Sequence, residues 1–499
     1  MNDKRVAVVI GAGLGGLSAA IRLAARGWQV AVYDGSDYVG GKAGTMTRDG
    51  YRFDTGPSLV TMPGVFEDLF RVAGRDLADY VTLIPLPEVC RYFYPDGVSL
   101  SAWADEERFA RELHERAGEN PANLKRFLDY SSRIYSIAAD MFLNRSLHEA
   151  SSYVRFGFLA SLLRLPGIDP LRTMAQSVER HFETPHARQL FERYATYNGS
   201  DPFQTPATLN IIPHVEYRGG AYAVEGGIHA IPRALEQLAR ELGVHIHRGE
   251  RVEQITWRQD KRRRRVTGVS VNGAHVPAQA VVCNADVTIA YRDLLSEPDA
   301  PELLRYESLE PSSSALVFYW GVGRECPELS HHNIFFSRDY RSEFRQIFEE
   351  GVCPDDPTVY VNITSKSSPA DAPDHGENWF VLVNAPYDNG QDWSAEAERV
   401  RKTALATISS RIGVDVEKHI ETEAVMTPAD IAERTSSYRG SLYGISSNSR
   451  TAAFLRHPNR SKRYHGLYFC GGSCHPGGGM PLVVSGGKIV SDLILHHEK

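Results

Sequence analysis

Short aliphatic and β-branched runs, punctuated by glycine, set the rhythm at the start of the chain. Arg5 to Ile10 is one such run and predicts a buried strand. Leu17 to Arg26 carries apolar residues at helical spacing, and Gly27 stands where a helix C-cap belongs. Gln29 to Tyr33 predicts a second strand, ending in Asp34. The opening is therefore a strand–turn–helix–strand unit of about 30 residues, the size a right-handed parallel crossover requires.

From Glu106 to Arg193 the pattern changes to long amphipathic helices. An α/β pattern returns between Tyr217 and Glu253, with a helix over Ile228 to Leu242 and strands at Val244 to His247 and near Val252 to Trp257. Val266 to Val271, turned at Asn272-Gly273, predicts a hairpin arm. Val281-Val282 then leads into Asn284-Ala285-Asp286. Ala315 to Val322, Thr358 to Ile363 and Trp379 to Asn384 suggest a second sheet. The chain closes with a strand at Leu467 to Cys470, a glycine-rich turn and a helix from Pro481 to Leu495. No internal repeat is visible. The pattern predicts an interleaved α/β chain: one domain from 1–100, 215–290 and 440–499, and a second, α+β in character, from 101–214 and 291–439.

Composition narrows the class. The 499 residues are 42% hydrophobic and 23% charged, which excludes disordered, collagen-like and disulfide-scaffold proteins. The 55 Lys+Arg against 62 Asp+Glu leave a net charge of −7, so nucleic acid is not an expected partner. Cys90, Cys283, Cys326, Cys353, Cys470 and Cys474 include no C-x-x-C pair, and a reducing cytosol is the default setting. Lys4-Arg5 followed by Val6 to Ala20 imitates a signal peptide, but Gly11, Gly13, Gly15 and Gly16 interrupt it. No run of about 20 apolar residues predicts a spanning helix.

Gly11-Ala12-Gly13-Leu14-Gly15-Gly16 fits G-x-G-x-x-G between the first strand and the first helix. Gly11 permits the tight turn, Gly13 lets a pyrophosphate approach the backbone, and Gly16 lets helix and strand pack closely. Asp34, eighteen residues past Gly16, is placed to accept from a ribose diol. A dinucleotide is the expected cofactor. Gly40-Gly41-Lys42 and Phe53-Asp54-Thr55-Gly56-Pro57-Ser58 follow too closely for a nicotinamide enzyme to need them, and they favour FAD. Gly471 to Pro481 packs five glycines before the last helix, whose N–H groups are expected near the flavin O2. Cys474 and His475 read mainly as loop lining. His245-Ile246-His247 lacks further ligands, so no metal is expected.

These motifs resemble the bacterial-type phytoene and carotenoid desaturases, FAD-dependent members of the flavin amine-oxidase superfamily. The resemblance spans nearly the whole chain. It adds Gly219-Gly220 through Gly226-Gly227-Ile228, Asn284-Ala285-Asp286, Gly440 to Gly444, Arg456 to Arg460 and, most specifically, His475-Pro476-Gly477-Gly478-Gly479-Met480-Pro481. It implies cofactor contacts at Gly11, Gly13, Leu14, Gly15, Gly16 and Asp34; at Gly40, Gly41, Lys42, Gly56, Pro57 and Ser58; at Val252, Asn284 and Asp286; and at Gly471, Gly472, Met480, Pro481 and Leu482. Lys42 stands where similar proteins usually have arginine. Gly472 to His475 looks nearer to later-acting carotenoid desaturases than to phytoene-specific ones.

The resemblance further implies hydride transfer from a CH2–CH2 unit beside a polyene to flavin N5, with oxygen or a quinone as the electron acceptor. No catalytic residue is singled out. The lipophilic substrate implies a cytoplasmic protein peripherally bound to a membrane surface, and Tyr153 to Leu165 is the candidate contact. Lys261 to Arg265 reads as a solvated hairpin loop. The alternatives are an amine or porphyrinogen oxidase, and a non-catalytic lipid-binding protein on the same fold. The pattern sets no oligomeric state.

Overall fold

A computed structural model describes residues 5–143, 145–149, 165–260, 263–449, 452 and 456–498. Tyr153 to Arg164, nearly all of the expected membrane-contacting segment, lies outside the described residues, as do Lys261 and Arg262.

Val6–Ile10 forms the central strand of a five-stranded parallel sheet with Gln29–Asp34, His245–Arg248, Ala280–Cys283 and Leu467–Phe469. The stretch that imitates a signal peptide is thus this buried strand and the helix Leu14–Ala24. In space the order runs Leu467–Phe469, Ala280–Cys283, Val6–Ile10, Gln29–Asp34, His245–Arg248. Numbered by sequence this is 5-4-1-2-3, the doubly wound order of a Rossmann-type α/β fold, as the pattern predicts. Alternation along the central strand explains its two coats. Ala7 and Val9 pack against the helices Leu14–Ala24, Ala230–Glu241 and Met480–His497. Val8 and Ile10 face a small antiparallel sheet built on Val252–Asp260 and Arg263–Val271. Asn272 and Gly273, both with positive φ, turn the chain from Arg263–Val271 into Ala274–Pro277.

A seven-stranded sheet forms the second layer, in the order Ile420–Met426, Ser314–Val322, Glu377–Ala385, Val359–Ile363, His332–Phe335, Glu88–Phe93, Ser99–Trp103. The three strands expected there are its middle. Residue 100, the expected end of the first segment, falls inside the hairpin Glu88–Phe93/Ser99–Trp103, and that hairpin pairs with His332–Phe335 rather than with the nucleotide-type sheet. Both sides of Ser314–Val322 are buried, so its sequence reads as a continuous apolar run. Leu316, Phe318 and Trp320 face the helix Trp393–Ile412, while Val317 faces the interior between the two sheets. The helices Glu106–Ala117, Pro121–Leu143, Met174–His181 and Pro185–Glu192 supply the expected helical region.

Arg263 to Arg265 lie in a strand rather than a loop, because Arg263 already pairs with Asp260. Arg264 meets Glu297 and the Tyr464 hydroxyl, so part of that basic run is neutralised within the fold.

Candidate active site

The strand order of the parallel sheet reverses between Val6–Ile10 and Ala280–Cys283. Ligands of such sheets bind beyond the carboxyl ends of the strands at this switch point. Here three loops follow three adjacent strands: Gly11 to Gly16, Asn284 to Asp286, and Gly471 onward. Residues of all three line one cavity of about 640 Å³, which continues to the inner face of the seven-stranded sheet.

Glycine is required where the loops crowd. A Cβ on Gly16 would sit 2.1 Å from the Gly11 carbonyl oxygen, and one on Gly56 would sit 1.9 Å from that of Lys42. The Gly40 N–H donates to the Ala12 carbonyl at 2.9 Å, so the second glycine pair is pinned against the first loop and is no surface turn. The Asn284 amide lies across Gly13 and Gly15, where a Cβ would come within 2.8 Å and 2.7 Å of its side-chain atoms. The helices Leu14–Ala24 and Met480–His497 both begin at the cavity, and neither has a side-chain cap. Uncapped first-turn N–H groups suit a pyrophosphate at one helix and a polarised carbonyl at the other. A glycine cradle and two uncapped helix starts on one cavity fit a flavin dinucleotide.

Most residues expected at the cofactor do line the cavity. Gly13, Leu14, Gly15, Gly40, Gly41, Lys42, Gly56, Pro57, Ser58, Asn284, Asp286, Gly471, Gly472, Met480, Pro481 and Leu482 are all there. Gly11, Gly16, Asp34 and Val252 do not line it. Gly11 and Gly16 shape the turn from behind. Asp34 accepts from Ala12 N–H at 2.6 Å and Ser36 N–H at 2.8 Å, clamping the glycine turn to the end of the second strand. Each carboxylate oxygen keeps a second lone pair for a ribose hydroxyl. Val252 is buried among Val8, Tyr33 and Val269, so its side chain belongs to the core below the turn.

Lys42 is half-buried and donates to the carbonyls of Ser441 and Leu442 at 3.0 Å and 2.8 Å. Burial pushes its ammonium down to about 8, with Asp286 opposing. Asp286 accepts from Thr288 N–H and Oγ1, both at 2.9 Å, and burial holds its carboxyl above the ordinary range. Pro481 occupies the second helical position, since the helix opens at Met480. Cys474 and His475 are buried and do not line the cavity.

Two motifs prove to serve each other. The Asp54 carboxylate accepts from the Ile228 N–H at 3.0 Å and pairs with Arg52 at 2.9 Å, tying the Asp54-Thr55-Gly56 stretch to Gly226-Gly227-Ile228. His247 stacks on Tyr33 at 4.4 Å, and no group of metal-ligating side chains occurs among the described residues.

The far end of the cavity went unread in the sequence. Its walls carry apolar side chains such as Leu59, Val215, Ile334, Phe380, Leu382 and Met426, together with a buried polar cluster. Arg193 donates to the Tyr92 hydroxyl at 2.8 Å and to Glu216 at 3.4 Å. Tyr194 and Tyr197 also donate to Glu216. Beside them Ser58, Tyr360 and His332 form a chain, with Ser58 Oγ to Tyr360 Oη at 2.6 Å and Tyr360 Oη to His332 Nδ1 at 2.7 Å. Arg456, nearer the glycine loop, donates to the carbonyls of Tyr443 and Gly472 at 2.7 Å and 3.4 Å. Arg193, Tyr194 and Tyr197 share one short helix, but Glu216, His332, Tyr360 and Arg456 come from elsewhere in the chain, and no local spacing announces the cluster.

The chain matches the family model for flavin containing amine oxidoreductases over residues 14–495. It is 43% identical over 488 residues to a 1-hydroxycarotenoid 3,4-desaturase of Flavobacterium sp., covering 98% of each protein. It is 37% identical over 491 residues to a 4,4'-diaponeurosporene oxygenase of Staphylococcus aureus, covering 98% of this chain and 97% of that one. Cyclohexylamine oxidase from Brevibacterium oxydans shares the fold, with a TM-score of 0.60 at 14% identity over 99% of both chains. Joined to the glycine-built dinucleotide cradle, these matches identify the chain as a member of the flavin-containing amine oxidoreductases and, within them, of the carotenoid desaturases, and so as an FAD-dependent oxidoreductase.

Proposed function

We propose that this enzyme desaturates an acyclic carotenoid, removing a hydride and a proton from a CH2–CH2 unit beside the conjugated chain. The observation that carries the reading is a continuous cavity, glycine-built at one end and walled by apolar side chains beyond. Bound FAD supplies the hydride acceptor. The chain's own residues have two tasks. They hold the polyene against the ring within reacting distance, and they keep water out. Gly13 to Gly15, Gly40 to Lys42 and the start of the last helix are the proposed cofactor contacts, with Asp34 behind the turn.

An amine oxidase reading is less well supported, because a cationic substrate wants a free carboxylate. Among the described residues the carboxylates lining the cavity, Asp286 and Glu216, are already engaged by Thr288 and by Arg193 with its tyrosines. A polyene is neutral and needs no such partner. Its supply from lipid supports a peripheral membrane association, with oxygen or a quinone taking the electrons. No helix among the described residues is long and apolar enough to cross a membrane.

The test combines purified protein, FAD and liposomes carrying phytoene, diapophytoene or an acyclic hydroxylated carotenoid. Desaturation gives products lighter by two hydrogens per step, with red-shifted absorbance. Bound flavin that none of these polyenes bleaches without oxygen would overturn the reading.

A further inference from the structure

His332 sits on the inner face of the seven-stranded sheet, 3% exposed, with its ring on the cavity wall. Its Nδ1 is occupied. The Asn362 amide nitrogen lies 3.2 Å from it and also donates to the His331 carbonyl at 3.0 Å, which fixes that amide as a donor. Tyr360 Oη lies 2.7 Å from the same Nδ1 and 2.6 Å from Ser58 Oγ. Nδ1 therefore accepts. Burial, with His331 and Arg193 close by, keeps the ring neutral, and its one proton resides on Nε2. Nε2 is buried and finds no partner among the described residues. A buried donor left without a partner is costly, and it invites an acceptor supplied by a ligand.

We propose that His332 Nε2–H donates to an oxygen atom on the end group of the polyene, making this end of the cavity a subsite for an oxygenated terminus. The inference rests on the carotenoid reading above and deepens it. Hydroxyl and carbonyl oxygens share the required acceptor chemistry. A hydrocarbon terminus, by contrast, would leave the donor bare. Asn362 acts as a positioning residue, because its amide sets which imidazole nitrogen carries the proton. Discrimination of this kind comes from the penalty a buried, unpaired group imposes on the wrong ligand.

The holoenzyme is mixed without oxygen with three acyclic polyenes of equal chain length, ending in a hydrocarbon, a hydroxyl or an aldehyde. Flavin bleaching against polyene concentration separates apparent Kd from the limiting rate. The wild type is expected to bind at least one oxygenated polyene about tenfold to hundredfold more tightly than the hydrocarbon. Which of the two is favoured identifies the oxygen. His332→Phe should erase that preference by weakening the oxygenated ligands about tenfold or more relative to the hydrocarbon. His332→Gln, which keeps an N–H donor, should restore part of it. If His332→Phe does not fold, Asn362→Leu keeps the ring, frees the tautomer and should halve the preference or more.

Equal affinity of the wild type for all three polyenes would overturn the subsite, as would equal weakening of all three by the variant. Absence of bleaching with every polyene would instead defeat the desaturase reading itself.

Discussion

The two ends of the cavity are built by opposite means. At one end the backbone shapes the wall: glycine loops, two uncapped helix starts and carbonyls that tether Lys42. At the other end side chains shape it, through Arg193, Glu216, a set of tyrosines and the Ser58–Tyr360–His332 chain. A backbone site tolerates little change in backbone shape, so it demands glycine at fixed spacings. A side-chain site demands only that the right groups meet, from whatever elements bring them. The cofactor end is thus a general device, and the far end is where members of one fold can diverge.

Four substitutions probe that contrast. Glu216→Leu should cost the most, about 3–5 kcal/mol, because it strands the buried Arg193 charge without its carboxylate. A fall in the urea midpoint would show it. The surviving folded protein should still be yellow, since the cofactor end is untouched. If the flavin leaves instead, the two ends are not separate devices.

Gly16→Ala forces a Cβ to within 2.1 Å of the Gly11 carbonyl oxygen. Relief of that clash should cost about 2 kcal/mol, or about thirtyfold in FAD affinity. The ratio of flavin to protein absorbance after gel filtration reads it. Normal flavin content would show that close packing behind the turn is dispensable.

Asp34→Asn exchanges a charged acceptor for a neutral one at the clamp on Ala12 and Ser36. A loss of about 1.5 kcal/mol is expected, roughly tenfold in FAD affinity by titration of the apoprotein.

Lys42 gives the smallest and most pH-specific effect. Burial lowers its pKa in the folded state to about 8, while the unfolded chain keeps about 10.5. Between those values the unfolded state binds more protons, so this residue's penalty is full below about pH 8 and is relieved as pH rises toward 10.5. The melting midpoint of the FAD-free wild type minus that of Lys42→Met should therefore climb across this window. A flat difference would mean that burial does not penalise the charged form.

Some of this was legible in the sequence, for identifiable reasons. The strand–turn–helix opening, Asn284, and the glycine loop before the last helix announce themselves because each must satisfy a local backbone condition. Val252 opens a strand beside the nucleotide turn and turns its side chain into the core, which its sequence neighbours do not announce. Strand partners are likewise chosen across the fold, so residue 100 falls in a hairpin whose strand Glu88–Phe93 finds His332–Phe335. His332, Tyr360, Arg193 and Glu216 gave no signal, because buried polar residues in strands and helices look like ordinary core or surface until their neighbours are known.

The sequence by itself determined the parallel nucleotide-type sheet, the flavin and the family, because local spacing dictates backbone shape at those points. Only the tertiary structure decided that Asp54 serves Ile228, that Asp34 clamps the turn from outside the cavity, and that Ser58, Tyr360 and His332 meet in one chain on the cavity wall. Those outcomes depend on residues brought together from distant parts of the chain, as Ser58 and Tyr360 are from 302 positions apart. Burial then gives each such meeting its weight, since a polar group shut away from water must find its partner in the fold or in the ligand.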